Sequence, residues 1–176
     1  MTPTTRSEDG NGNGARERDR DGNGDRDRDQ GTDRYEIDTD PGRLDIGLVH
    51  HWLSTDAFWA LGRSRDTVER SVRGSLNFGV YGPDGAQVAY ARVITDRATF
   101  AWLCDVYVDP AHRGGGLGVR LATAVRDHLA PYGLKRTLLA TLDAHELYAK
   151  VGFVPVPDPE RLMILSTERW TATGRA

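Results

Sequence analysis

The sequence predicts one α/β domain behind a charged tail, built on a mixed, mostly antiparallel sheet of about seven strands flanked by about four helices. Three observations predict it. From Tyr35 onward, short alternating runs and longer runs with helical spacing follow in the order β-α-α-β-β-β-α-β-α-β-β. The middle strands are separated by breaks short enough for hairpins, which makes that part of the sheet antiparallel. Residues 1–34 contain no Val, Ile, Leu, Phe, Tyr or Trp, so that stretch has nothing to bury in a core.

That stretch carries seven Arg against nine Asp plus Glu, largely in alternation. Without apolar surface it cannot offset the entropy of ordering, and it reads as a disordered, solvated tail. The domain is expected over 35–170, with a disordered end at 171–176.

The elements follow in chain order. "RYEID" (34–38) reads as a short strand. "GRLDIGLVHHWL" (42–53) has near-helical apolar spacing. "SRDTVERSVRGS" (64–75) suits a second helix, with Asp66 and Glu69 placed as a capping box. "LNFGVYG" alternates as a strand, "PDG" turns the chain, and "AQVAYARVIT" (86–95) and "ATFAWLCDVYV" (98–108) follow as strands. "LGVRLATAVRDHLA" (117–130) puts Leu117, Leu121, Ala124, Val125 and Leu129 on one stripe. "RTLLAT" (136–141) is a buried-looking strand. "DAHELYAKVG" (143–152) is a short helix, with Asp143 and Glu146 as a second box and Gly152 as its C-cap. "FVPV" and "RLMILS" supply the last two strands.

Composition narrows function. The formal charge is −3, from 23 basic and 26 acidic residues, which argues against a nucleic-acid or membrane partner. No apolar run approaches the ~18 residues of a membrane helix, and the N-terminus lacks the apolar core of a secretory signal. One cysteine, Cys104, excludes an internal disulfide framework and fits a reduced cytoplasmic setting. The histidines show no metal-ligand spacing; His50 and His51 point to different helix faces.

The informative stretch is "VDPAHRGGGLGVRLATAV" (108–125). Glycines between a strand and a helix free the helix's first N–H groups, which with the helix dipole attract anions. A phosphate-bearing ligand is the leading expectation. The phosphate loop of nucleotide hydrolases needs a lysine that is missing here, and the dinucleotide fingerprint needs a glycine spacing that Gly114, Gly116 and Gly118 do not give.

What fits is Arg113-x-x-Gly116-x-Gly118 straight after "VYVDP", with Ala144, Leu147, Tyr148, Gly152 and Phe153 downstream. These residues and the element order resemble the GNAT N-acetyltransferase superfamily over about 35–166. The resemblance implies acetyl-CoA as co-substrate, no metal, and a small-molecule or peptide amine as acceptor, in a monomer or homodimer. It implies that Val106, Tyr107 and Val108 line the cofactor, with backbone groups of Val106 and Val108 on the acetyl carbonyl and pantetheine. Gly114, Gly115, Gly116, Leu117, Gly118 and Val119 would meet the pyrophosphate, bordered by Arg113. Thr141 stands where the family usually has Asn. Tyr148 matches the tyrosine that acts as general acid on the departing thiolate. Packing is the competing role for Tyr148, and plain strand core for Val106 and Val108.

The catalytic base is less defined. The family's usual base positions hold Trp102 and Cys104. Asp105 is adjacent, but alternation points it to the opposite face unless a bulge turns it back. Its alternative role is to orient the strand or loop, with a water relay as base. Cys104 as an acyl-enzyme nucleophile is a second enzymatic route. Phe58 and Trp59, between the first two helices, either line the acceptor pocket or plug the core. A non-catalytic acyl-CoA sensor and an enzyme for longer acyl chains remain as alternatives.

Overall fold

The computed structural model describes residues 34–165. Arg34 apart, the charged tail lies outside them, as does the chain after Leu165. The strands are β1 (Glu36–Asp38), β2 (Leu76–Tyr81), β3 (Gln87–Thr95), β4 (Phe100–Val108) and β5 (Arg136–Leu138); the helices are α1 (Ile46–Thr55), α2 (Arg65–Arg73), α3 (Leu117–Leu129) and α4 (His145–Ala149). The sheet runs in sequence order from β1 to β5. The first three pairings are antiparallel, and β5 runs parallel to β4, with Phe100 opposite Arg136 and Trp102 opposite Leu138.

Two buried clusters hold the sheet from its two faces. On one, Leu117, Leu121, Val125 and Leu129 of α3, with Tyr148 of α4, pack on Phe78, Val80, Val93 and Leu103. On the other, Val49, Trp52 and Leu53 of α1 and Val68 and Val72 of α2 pack on Tyr90 and Tyr107. Each fully buried Val or Leu contributes about 1.5–3 kcal/mol, so strand positions in the middle of the sheet are fixed from both sides. Tyr90 donates to Asn77 at 2.6 Å and Asn77 donates to the Val72 carbonyl at 2.9 Å, which ties the end of α2 to the sheet. Burial pushes the Tyr90 phenol well above its ordinary range.

Several local expectations are corrected. α1 starts at Ile46, because the Asp45 side chain accepts from the Leu48 N–H and caps it there. The cap of α2 is Ser64, which accepts from the Thr67 N–H; Asp66 lies inside the helix and Glu69 pairs with Arg65 at 2.9 Å. Ala122 replaces Ala124 in the buried stripe of α3. Asp143 and Glu146 form no capping box; instead the Thr141 hydroxyl accepts from the Ala144 N–H at 3.0 Å. Gly152 does end α4. It sits at φ +97°, with Gly152 N–H on the Ala149 carbonyl and Phe153 N–H on the Tyr148 carbonyl.

Five strands, not seven, form among the described residues. "FVPV" and "RLMIL" are irregular. Pro155, Pro157 and Pro159 have no N–H for a ladder. The side chains that alternation would have buried face solvent, Met163 and Leu165 almost completely.

Candidate active site

The site is organised by a defect in β4. Tyr90 lies opposite Tyr107 and Arg92 opposite Cys104, so Asp105 and Val106 together oppose the single residue Ala91. This is a β-bulge, and Asp105 carries it at φ +51°, a left-handed conformation that Asp tolerates better than most residues. The extra residue resets the alternation, so Cys104 and Tyr107, three apart, face the same side as Arg92 and Tyr90. Asp105 is turned to that side as well, towards α1 and α2. There its Oδ2 accepts from Arg63 Nη1 and from Arg92 Nε, each at 2.8 Å, with the carboxylate side chain only 3% exposed. No hydrogen bond falls on Oδ1 among the described residues. Oδ2 is occupied by two charge-assisted bonds, and Oδ1 is the oxygen left to accept a further donor. Cys104 is the wrong group for nucleophilic catalysis: burial pushes its thiol up to about 11, so at neutral pH it is protonated.

The other edge of β4 is open. β5 covers only Phe100 to Trp102, and from Leu103 to Val108 no described strand pairs on that side. The Asp109 N–H donates to the Val88 carbonyl at 2.9 Å. By alternation Val108 therefore turns its own N–H and carbonyl away from β3, onto the open edge. Its carbonyl accepts from Arg113 Nε at 2.8 Å, which leaves the N–H. The Val106 and Val108 side chains pack against the α3 cluster, so the core uses their side chains and leaves the Val108 N–H on the open edge.

At the end of β4 the chain enters the glycine loop. Gly114 and Gly116 are left-handed, at φ +83° and +86°, and Gly116 occupies the N-cap of α3 without any side-chain cap. The N–H groups of Leu117, Gly118 and Val119 therefore form the uncapped first turn of a 13-residue helix. A Cβ at Gly114, Gly115 or Gly116 would meet nothing within 4 Å, so the loop surface is free to receive a ligand. Gly118 has a further reason to be glycine. Its Cβ would lie 2.8 Å from Leu147 Cδ1, so any side chain there makes the Leu147 terminal methyl shift where α4 meets α3. Arg113 lies across the Tyr107 ring, 5.3 Å from its centroid, and reaches Asp56 Oδ2 at 3.4 Å. The Tyr107 hydroxyl donates to the same oxygen at 2.5 Å. Burial first, and then this carboxylate, push the Tyr107 phenol up to about 12.

Tyr148, on α4, shares the buried cluster of Leu103, with Val106 and Val108 packed at its margin. Its ring meets Phe153 edge-on at 5.8 Å. Its hydroxyl makes no hydrogen bond among the described residues and is not among the fully buried, unpartnered atoms, so it keeps access to the exterior. Burial, assisted by the charge of Asp143, pushes it up to about 12. Thr141 precedes this helix, its hydroxyl engaged with Ala144.

Phe58 and Trp59 do not plug the core. They are 52% and 45% exposed and pack edge-on with each other at 5.0 Å, while Ala57 and Ala60 fill the buried positions of the turn. No group of three or more His, Cys, Asp or Glu side chains among the described residues could hold a metal ion. A shallow cavity of about 640 Å³ lies elsewhere, between β1 and α3, lined by Arg34, Tyr35, Arg120, Thr123 and Asp127. It is separate from the bulge and the glycine loop, and the chemistry points to the latter.

Sequence reasoning missed Asp56, Arg63 and Arg92. Only Arg92 left a signal, as a charged residue inside the apolar strand "VAYARVI".

The profile of the acetyltransferase (GNAT) family matches residues 47–153. A Gibberella zeae protein assigned as an acetyltransferase, FG08082, is 33% identical over 135 residues, which cover 66% of this chain and 76% of that one. A Xanthomonas campestris pv. campestris crystal structure, assigned to GNAT acetyltransferases, is 48% identical with a TM-score of 0.71, covering 75% of this chain and 92% of that one. The N-acetylglutamate synthase of Neisseria gonorrhoeae, solved with coenzyme A and N-acetyl-glutamate, is similar in fold: 22% identical, TM-score 0.59, covering 72% of this chain and 30% of that one.

Proposed function

Because the chain belongs to the acetyltransferase (GNAT) family and is an acyltransferase that draws on acetyl-CoA, we propose that it moves the acetyl group to a primary amine by direct attack in a ternary complex. The observation that carries this reading is the half-open edge. β4 loses its β5 partner after Trp102, is bulged at Asp105, and runs straight into an uncapped helix N-terminus.

Acetyl-CoA, when bound, supplies an activated acyl thioester. The open edge of β4 pairs with the pantetheine arm as an added strand, with Val106, Tyr107 and Val108 along it and Thr141 at its far side. Gly114 to Val119 offer N–H groups to the pyrophosphate, and Arg113 adds a positive charge beside them. β4 backbone donors polarise the thioester carbonyl. The α1–α2 side, with Phe58 and Trp59 at its rim, admits the amine.

Tyr148 donates a hydrogen bond to the departing sulfur. At about 12 the phenol is less acidic than a free one, and a model thiol lies near 8.5. Complete transfer is therefore uphill unless the same dry site also raises the thiol. Tyr148 then acts mainly by hydrogen-bonding the sulfur as its charge develops. The amine's proton leaves to water or to Asp105 Oδ1.

The test is a thiol-release screen of diverse amines with acetyl-CoA and longer acyl-CoAs. One amine class should release thiol with acetyl-CoA. Binding of CoA without release from any amine would make the chain an acyl-CoA sensor. A strong preference for a longer chain would move the activity to another acyl group.

A further inference from the structure

Three charged side chains meet over the bulge on the acceptor side, and their charges do not cancel. Asp105 is the only acid within ion-pair distance of Arg63 and Arg92 among the described residues. Two guanidiniums thus share one carboxylate, and both bonds fall on one oxygen. The neighbouring charges are already matched: Asp56 with Arg113, Glu69 with Arg65, and Asp66 with Arg70. One positive charge is left over beside the bulge.

The donors are left over too. Arg63 uses only Nη1, on Asp105; Arg92 uses Nε on Asp105 and Nη1 on Ser75 Oγ at 3.1 Å. The remaining N–H groups, on Arg63 Nε and Nη2 and on Arg92 Nη2, find no partner among the described residues. None of them is among the fully buried, unpartnered atoms, so each keeps some contact with solvent. The side chains are only 21% and 11% exposed, so these donors face a partly dry space in which charge-assisted bonds are strong. A planar guanidinium fork is shaped for a carboxylate.

We infer that the acceptor is an amine that also carries a carboxylate, which the free N–H groups of Arg63 and Arg92 hold above the β4 bulge. This rests on the acetyl-transfer reading and makes its acceptor specific. Asp105 then has a positioning role. It fixes both forks through Oδ2, and its Oδ1 accepts no hydrogen bond among the described residues. The strained backbone at φ +51° is retained because it delivers this carboxylate between the two arginines. The competing explanation is that the ion pairs only fasten the 56–64 loop to the sheet. That explains Nη1 of Arg63 and leaves the remaining donors to solvent, where a carboxylate can replace water.

Two measurements decide it. The full-length protein, saturated with CoA, is titrated calorimetrically with N-acetylglycine, N-acetylleucine and N-acetylglutamate, each against its α-carboxamide. At least one acid should bind tenfold more tightly than its amide, and Arg63→Gln should abolish that difference. Arg63→Lys, which keeps a charge without the fork, should restore part of it and guards against a folding defect. In parallel, thiol release is followed with the free amino acids, their amides and phosphoethanolamine. The acids should lead in kcat/KM by more than tenfold. Arg63→Gln should raise KM for the acid and leave KM for acetyl-CoA unchanged. Equal behaviour of acids and amides in both assays would overturn the inference, as would a clear preference for phosphoethanolamine. Thiol release from amides alone would refute the carboxylate and leave acetyl transfer standing. Release from no amine would refute acetyl transfer, while the calorimetry would still decide the carboxylate.

Discussion

Asp105→Asn is the sharpest test of the architecture described for β4. The substitution keeps size and shape and removes one negative charge. The native carboxylate is 3% exposed and takes two guanidinium bonds at 2.8 Å. Hydrogen bonds to a charged group are worth about 1.5–3 kcal/mol each. Stranding the partners of a buried ion pair costs about 3–5 kcal/mol. Two features reduce this here. Arg63 and Arg92 retain some contact with water, and the Asn carbonyl still accepts one bond. The expected loss is roughly 2–4 kcal/mol, which for a domain of this size lowers Tm by about 10 °C. Urea unfolding of both proteins, followed by circular dichroism, measures it. The slope should be unchanged and the midpoint lower. A midpoint within experimental error of wild type would show that the two ion pairs do not hold the bulge, and the placement of Arg63 and Arg92 would fall with it.

Other outcomes follow from the same geometry. Tyr148→Phe should keep Tm and the KM for acetyl-CoA but lower kcat at least thirtyfold, the pattern of an interaction made in the transition state; steady-state kinetics with an accepted amine would measure it. Gly116→Val should weaken CoA binding at least tenfold by calorimetry and also lower Tm, since φ is +86° there, whereas Gly115→Ala, which meets neither a left-handed φ nor a neighbour, should preserve both. Alkaline stability should fall early. Cys104 and Tyr148 titrate near 11 and 12 when folded, above their unfolded values. The folded state therefore holds its protons longer, and that stabilisation is complete below about pH 8.5 and is lost progressively from there up to pH 12. Denaturation midpoints from pH 8 to 11, compared with Cys104→Ala, would show the thiol's share as a shallower decline in the variant.

The position of the loop was legible because its signals are local. Arg113, Gly116 and Gly118 sit within six positions, and the strand before them and the helix after them each announce their own period. The charged group beside the bulge was not legible, because its bonds are long-range. Arg63 meets Asp105 across 42 residues and Arg92 meets it across 13. Period-two alternation alone sends Asp105 to the wrong face, and only the register shift against Ala91 brings it back. Caps were misplaced for the opposite reason. Ser64 and Thr141 lie just before the positions chosen, and several nearby acids offered equally plausible boxes. The final strands were overread from apolar content, although Pro155 already denied the first of them a full ladder. Gly118 lies against the end of the Leu147 side chain, a contact that no reading of the loop by itself would supply.

The uncovered side of β4 has a colloidal consequence. A row of backbone groups with no neighbouring strand is a template on which another polypeptide can add, the usual start of edge-to-edge aggregation. Nature commonly blunts such a row with a lysine or proline, but Leu103 to Val108 contain neither. The same row is where the pantetheine arm is proposed to lie, so the small molecule would double as a removable edge guard. Storage without CoA would then favour precipitation, and solubility would follow nucleotide concentration as closely as turnover does.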